Sequence, residues 1–209
     1  PIVQLIEYSR PASPFGAVNA GPLTITATFN KDLVAGPSIA ISGGAADGSN
    51  DRTNLAMTAS SSPRKWTFTY LPGILPNDDG TFTVSVSGGK DSAGNSNSTA
   101  AAPGNQFVID TTPPSVSLLA LSRPVSPLSK VRSGPLTFTA TFNETIVVAP
   151  RISISGGSTS ASVNDVSSAA MFPTTDPKVW QYPHTIGAGD DGTFTVGIAN
   201  GQDTGSNAN

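Results

Sequence analysis

Apolar residues recur at every second position through much of the chain. In Leu23-Thr24-Ile25-Thr26-Ala27-Thr28-Phe29 the odd-numbered side chains are apolar and the even-numbered ones are all threonine. Leu136, Phe138, Ala140 and Phe142 repeat the pattern, again separated by Thr137, Thr139 and Thr141. Alternate side chains of a strand point to opposite faces, so each run predicts a strand with one buried face. Phe82, Val84 and Val86 form a third such run, and Phe194, Val196 and Ile198 a fourth. Shorter strands are predicted over 2–8, 38–42, 65–71 and 106–109. Trp66, Phe68 and Tyr70 fall on one face, and Trp180 with Tyr182 repeats that arrangement. The 21 glycines and 18 prolines sit mainly between these runs, where turns need them. No segment carries a convincing helical period.

The strand pattern is itself duplicated. Residues 8–44 align without a gap on 121–157, with 22 of 37 positions identical, too many and too ordered for chance. Ser9-Arg10-Pro11 returns as Ser122-Arg123-Pro124, and Ile41-Ser42-Gly43-Gly44 as Ile154-Ser155-Gly156-Gly157. Asp78-Asp79-Gly80-Thr81-Phe82-Thr83-Val84 returns unchanged at 190–196. A period above 100 residues is a whole small domain; solenoid units repeat every 20–50 residues. Short strands with turn signals in units of that size indicate β-sandwiches. The expected division is 1–110 and 111–209, with Asp110-Thr111-Thr112-Pro113-Pro114 as a short, fairly stiff connector. The first copy runs on to a strand over 106–109. The second stops at Asn209, soon after Asp203-Thr204-Gly205-Ser206-Asn207, so its last strand is expected to be missing and one sheet edge open.

Composition narrows the function. A net charge of -3, with 12% charged residues and no basic patch, lacks the electrostatic footprint of a nucleic-acid binder. No apolar run approaches a membrane span. The absence of cysteine removes disulfides and thiolate metal sites. A chain opening on Pro1 with no visible leader reads as a processed or trimmed piece.

In the order and spacing of its motifs the chain resembles the bacterial Ig-like tandem repeats of large cell-surface proteins and adhesins. The motifs are the 110–114 linker, the strand ending Phe142-Asn143-Glu144, the corner Asp79-Gly80-Thr81-Phe82 and the loop Asp91-Ser92-Ala93-Gly94-Asn95. The resemblance implies two tandem immunoglobulin-like β-sandwiches, the second lacking its last strand, in an extracellular stalk or adhesive array. It also implies neighbouring repeats of the same type as partners, and calcium at the junctions. In such a sandwich the start of the first strand, the end of the second and the last strand-joining loop share one end. Asp110, Glu144, Asp203 and Asn207 would meet there, with Asp78 and Asp79 at the end of copy one that faces this junction. Their oxygens can supply the ligands that Ca²⁺ prefers. The same residues also suit turns, because Asp and Asn bond nearby backbone N–H groups. The matching position in copy one carries Lys31 in place of Glu144, which repels a cation.

Other chemistry is thin. His184 is the only histidine; it has no repeat equivalent and reads as a surface residue, so no nucleophile–base pair is formed and no enzyme is expected. Trp66 and Trp180 are expected in the core, although exposed tryptophans in a row would make a carbohydrate-binding accessory domain. Asn97 and Asn143 match the N-glycosylation pattern. The reading the residues favour is a non-enzymatic structural repeat of an extracellular surface protein. A filament or sheath subunit joined by strand exchange at the open edge is the alternative.

Overall fold

The computed structural model describes residues 1–11, 16–45, 48–123, 130–158 and 162–209; Pro124 of the repeated Ser-Arg-Pro motif lies outside them. It divides into two compact units, Pro1–Thr112 and Pro113–Asn209, so the division falls inside the predicted linker. All regular structure among the described residues is β.

Unit 1 contains β1 (Val3–Tyr8), β2 (Thr24–Phe29), β3 (Ser38–Gly43), β4 (Arg52–Ala56), β5 (Thr58–Ala59), β6 (Lys65–Thr69), β7 (Gly80–Ser87) and β8 (Gln106–Ile109). They form two antiparallel sheets, ordered β1-β2-β6-β5 and β4-β3-β7-β8. The longer strands turn their apolar sets inward. Ile25, Ala27 and Phe29 of the first sheet and Ile39, Ile41, Phe82 and Val84 of the second join one buried cluster. The intervening threonines stay partly exposed. That is the sandwich the alternation predicts.

Unit 2 contains β9 (Val116–Leu121), β10 (Gly134–Phe142), β11 (Arg151–Gly156), β12 (Val166–Ala170), β13 (Phe172–Pro173), β14 (Val179–Ile186) and β15 (Phe194–Ala199). Its sheets are β13-β14-β10-β9 and β12-β11-β15. The second sheet has three strands where unit 1 has four; among the described residues β15 pairs only with β11. Its core gathers Leu136, Phe138, Ala140, Phe142, Ile152, Ile154 and Trp180.

The repeated Ile-Ser-Gly-Gly has a steric cause. Gly43 and Gly156 end β3 and β11 at φ of 156° and 147°. A Cβ on either would collide with a carbonyl oxygen of the neighbouring strand, that of Thr81 or Thr193. Only glycine permits so close a backbone approach.

Sequence periodicity does not reveal β4, β5, β12 and β13. These short strands are largely exposed and carry no alternating apolar face. β4 and β12 are edge strands with the same irregularity, a register shift against β3 and β11 beside a positive-φ residue, Asn54 or Ser168. Such bulges are a common device for blunting sheet edges.

Burial along β15, which pairs only with β11 among the described residues, differs from that along β7. Phe82, Val84 and Val86 are buried in β7, whereas their repeat equivalents Phe194, Val196 and Ile198 are only partly buried. Truncating each phenylalanine should expose the difference. Phe82→Ala is expected to cost unit 1 about 3–5 kcal/mol. Phe194→Ala is expected to cost unit 2 only about 1–2 kcal/mol, for the smaller area it buries. Urea unfolding followed by Trp66 fluorescence for unit 1 and Trp180 for unit 2 measures both; equal losses would show that β15 is as well covered as β7.

Candidate functional site

The loop that follows β7 in unit 1 and β15 in unit 2 has the same construction in both. In unit 1 the Asp91 carboxylate accepts hydrogen bonds from the backbone N–H groups of Ala93 and Asn95, each at 3.0 Å, and from the Asn95 amide nitrogen. In unit 2 Asp203 accepts from Gly205 N (2.7 Å), Asn207 N (2.9 Å) and Asn207 Nδ2 (2.9 Å). Asp91 N–H and Asp203 N–H in turn donate to the carbonyls of Asn95 and Asn207. The first duty of both aspartates is thus to close a turn. The bonds from Asn95, helped by backbone N–H and Lys31, hold the Asp91 carboxyl below its ordinary range. Asn207 meets Asp203 with its amide nitrogen, so its amide oxygen is not the atom turned to that carboxylate.

The two loops differ in what faces them. The Lys31 ammonium lies 4.0 Å from Asp91 Oδ2. The equivalent position in unit 2 is Glu144, and a carboxylate oxygen of Glu144 lies within 4.8 Å of one of Asp203. An ion pair in one copy is a like-charge pair in the other. Asp203 is buried and Glu144 half-buried. Glu144 follows Asn143, which holds the start of unit 2: Ser115 N–H donates to Asn143 Oδ1 at 2.7 Å, and Lys178 Nζ to the Asn143 carbonyl at 3.0 Å.

Asp78 and Asp79 work inside unit 1. Asp78 is fully buried, and its Oδ2 accepts from Asn50 N at 3.0 Å. Its repeat equivalent Asp190 is likewise buried and accepts from Ser158 N–H and from the hydroxyl of Ser162. Asp79 holds the exit of the chain. Its Oδ1 accepts from Thr111 N (2.8 Å) and Thr111 Oγ1 (2.6 Å), and its Oδ2 from Thr112 Oγ1 (2.6 Å). Burial alone raises the Asp79 pKa, but the bonds from Thr111 and Thr112 outweigh it and leave a net depression. Sequence reasoning did not assign this clamp. Its signal was the coincidence of a repeated Asp-Asp-Gly corner with two hydroxyl residues in the linker. Asp110, one residue earlier, is half-buried; its N–H donates to Val18 O, and its Oδ1 accepts a long bond (3.4 Å) from Thr112 N.

The remaining candidates resolve individually. Trp180 is buried and Trp66 partly buried against the core, and each donates its indole N–H to a proline carbonyl three residues back, Pro177 or Pro63. Trp180 therefore presents no face for a sugar. His184 is not the plain surface residue expected. Its ring lies near those of Tyr182 and Phe138, and its Nε2 is buried without a partner among the described residues. Burial lowers its pKa. A hollow of about 300 Å³ beside it is lined by Ser122, Leu136, Thr137 and Pro183, with no carboxylate to serve as a base partner. Asn97 matches the N-glycosylation pattern from inside the fold. It is buried, and its amide nitrogen donates to the carbonyls of Val86 and Ser98, so the atom a glycan needs is occupied inside the fold. Asn143 is exposed.

Compared with known proteins, the chain matches no protein-family model and no curated relative.

Two tests follow from this geometry. Glu144→Lys restores in unit 2 the pairing of Lys31 with Asp91. Unit 2 should gain stability in chelator at low ionic strength, by no more than about 1 kcal/mol, and the gain should shrink in salt; a loss would show that Glu144 and Asp203 do not repel. The Asp79 clamp predicts an acid limb. A depressed native pKa stabilises the fold above the unfolded value of about 3.9 and loses that contribution as pH falls through the lower native value. Asp79→Asn should lower unit 1 stability at neutral pH and flatten its decline below about pH 4. An unchanged acid limb in the variant would remove Asp79 as its source.

Proposed function

We propose that this chain is a non-enzymatic structural segment of an extracellular surface protein, in which two tandem immunoglobulin-like modules extend or space a distal function. The observation that carries the reading is that one duplicated sequence closes two separate cores, each in its own compact unit. Duplication adds length without adding chemistry. The Asp79 clamp supports the same reading: three charge-assisted hydrogen bonds fix where the chain leaves unit 1, immediately before Pro113 and Pro114. Two consecutive prolines then restrict the connector. Load applied along the chain meets the antiparallel ladders β1–β2 and β7–β8 in unit 1. The extracellular setting rests on the motif resemblance and on a cysteine-free chain with few charged residues.

Calcium is the ion we assign to the Glu144–Asp203 pair. Two ligand oxygens on one Ca²⁺, each 2.3–2.6 Å from it, lie at most about 5 Å apart, which the 4.8 Å limit satisfies. A bound cation would remove a like-charge repulsion that unit 1 relieves with Lys31. Two carboxylates fall short of the six to eight oxygens Ca²⁺ takes. Water is proposed to complete the set.

Single-molecule pulling on the full chain tests both statements. Two separate unfolding events are expected, each releasing on the order of 300 Å for about 100 residues. Saturating Ca²⁺ should raise the force of one event only, and Glu144→Lys should abolish that response. One merged event would overturn the spacer reading. Two events with identical forces in Ca²⁺ and chelator would overturn the calcium assignment alone.

A further inference from the structure

The turn that leads out of β15 holds the one Asn-Gly pair of the sequence, Asn200-Gly201. Asparagine followed by glycine is a reactive pairing. The backbone nitrogen of the second residue can attack the side-chain carbonyl carbon of the first, and glycine has no side chain to shield that nitrogen. Asn200 is exposed, with a left-handed φ of 62°. Asparagine tolerates that conformation better than most residues, and glycine tolerates it best. Unit 1 takes the glycine: its turn reads Gly88-Gly89, with Gly88 at a φ of 80°. Gly88 is exposed too, and a Cβ there would meet nothing within 4 Å. Accessibility at this position is thus a property of the turn in both units and does not depend on what lies against β15.

The attacking nitrogen is held. Gly201 N–H donates to Asn209 Oδ1 at 2.6 Å, and Asn209 N–H donates back to Gly201 O at 3.0 Å. Asn209 Nδ2 donates to Ile198 O at 3.0 Å, which anchors the amide to the end of β15. Gly201 itself is buried, and a Cβ on it would come within 3.0 Å of Pro150 and 3.4 Å of Ile146. The next residue, Gln202, exchanges backbone hydrogen bonds with Val148 in both directions, each at 3.2 Å. For the reaction, the Gly201 nitrogen must lose its proton and swing towards Asn200 Cγ. Both moves require the bond to Asn209 to open. Asn97 makes the same three bonds to Gly89 and Val86 in unit 1, where no asparagine precedes the held glycine. The clamp is therefore common to both copies, and only in the second does it lie over a reactive pair.

We propose that Asn200 is a self-modification site whose rate is governed by Asn209. When the turn opens, Gly201 N forms a bond to Asn200 Cγ. The bond from Cγ to the amide nitrogen breaks, and ammonia leaves with the proton that Gly201 N gave up. Water then opens the cyclic imide, and the ring nitrogen takes back a proton. Attack of water at Cγ leaves aspartate at position 200. Attack at the backbone carbonyl carbon leaves isoaspartate, with the main chain now running through the former side chain. The sequence of steps consumes one water, releases one ammonia and needs no oxidant or cofactor. Either product places a negative charge three residues before Asp203, where the chain carried a neutral amide. The isoaspartate also adds a methylene to the main chain between β15 and the Asp203 loop.

The test incubates the full chain in warm, mildly alkaline buffer and locates lost amides by peptide mapping, with fragmentation that separates isoaspartate from aspartate. Asn200 is expected to convert ahead of the other asparagines and to give both products. Asn200→Gly, which copies Gly88, should leave the turn intact and unmodified. Asn209→Ala should speed conversion at Asn200 at least about tenfold, because Gly201 N–H loses its partner and the turn opens more often. Hydrogen exchange at Gly201 should quicken by a similar factor while exchange along β11 stays as it was. Should this variant unfold unit 2, the unsubstituted chain carries the same test. In sub-denaturing urea, conversion at Asn200 and exchange at Gly201 should rise in proportion. Conversion that rises without exchange at Gly201 overturns the proposal. So does an Asn200 that keeps its amide in a folded Asn209→Ala chain, or one that converts there at the original rate.

Discussion

A strand with one apolar face must have that face covered by another sheet, and this requirement organises the whole molecule. In unit 1 it is met on every side, so the side chains that alternate inward from β2, β3, β7 and β8 form one closed cluster. The threonines between them are left outside with their hydroxyls near water. In unit 2 the same residues meet the requirement except along β15, which pairs only with β11 among the described residues. Exposure rises at Phe194, Val196 and Ile198. The difference between the units is thus one of coverage, not of strand propensity, since β7 and β15 carry near-identical apolar sets.

This explains what the sequence made legible. Period two shows which residues face inward, so β2, β7, β10 and β15 could be placed to within about two residues, and β8 was found from Phe107 and Ile109. The edge strands β4 and β12 escaped notice because both of their faces are largely solvated and no alternation marks them. The candidate site was legible in its residue types and less so in their assignments. Asp-Asp-Gly does not say which carboxylate turns inward. The structure buries Asp78 and sends Asp79 to the linker threonines, a difference set by the corner into β7 and not by the identity of either residue. Asn97 satisfies a glycosylation pattern, yet its amide is buried because it caps the end of β7. Patterns of three residues carry no information about burial.

Duplication makes each unit a control for the other. The aspartate loops at Asp91 and Asp203 make the same hydrogen bonds, although β8 is described beyond the first and no described strand lies beyond the second. The loop is therefore fixed by its own local bonds and does not borrow its shape from β8. What faces it, Lys31 or Glu144, can change without altering the turn, which separates a structural duty common to both copies from a charge peculiar to the second. An ion assigned to Glu144 and Asp203 thus needs no new backbone, only a reversal of sign two residues past the end of β10.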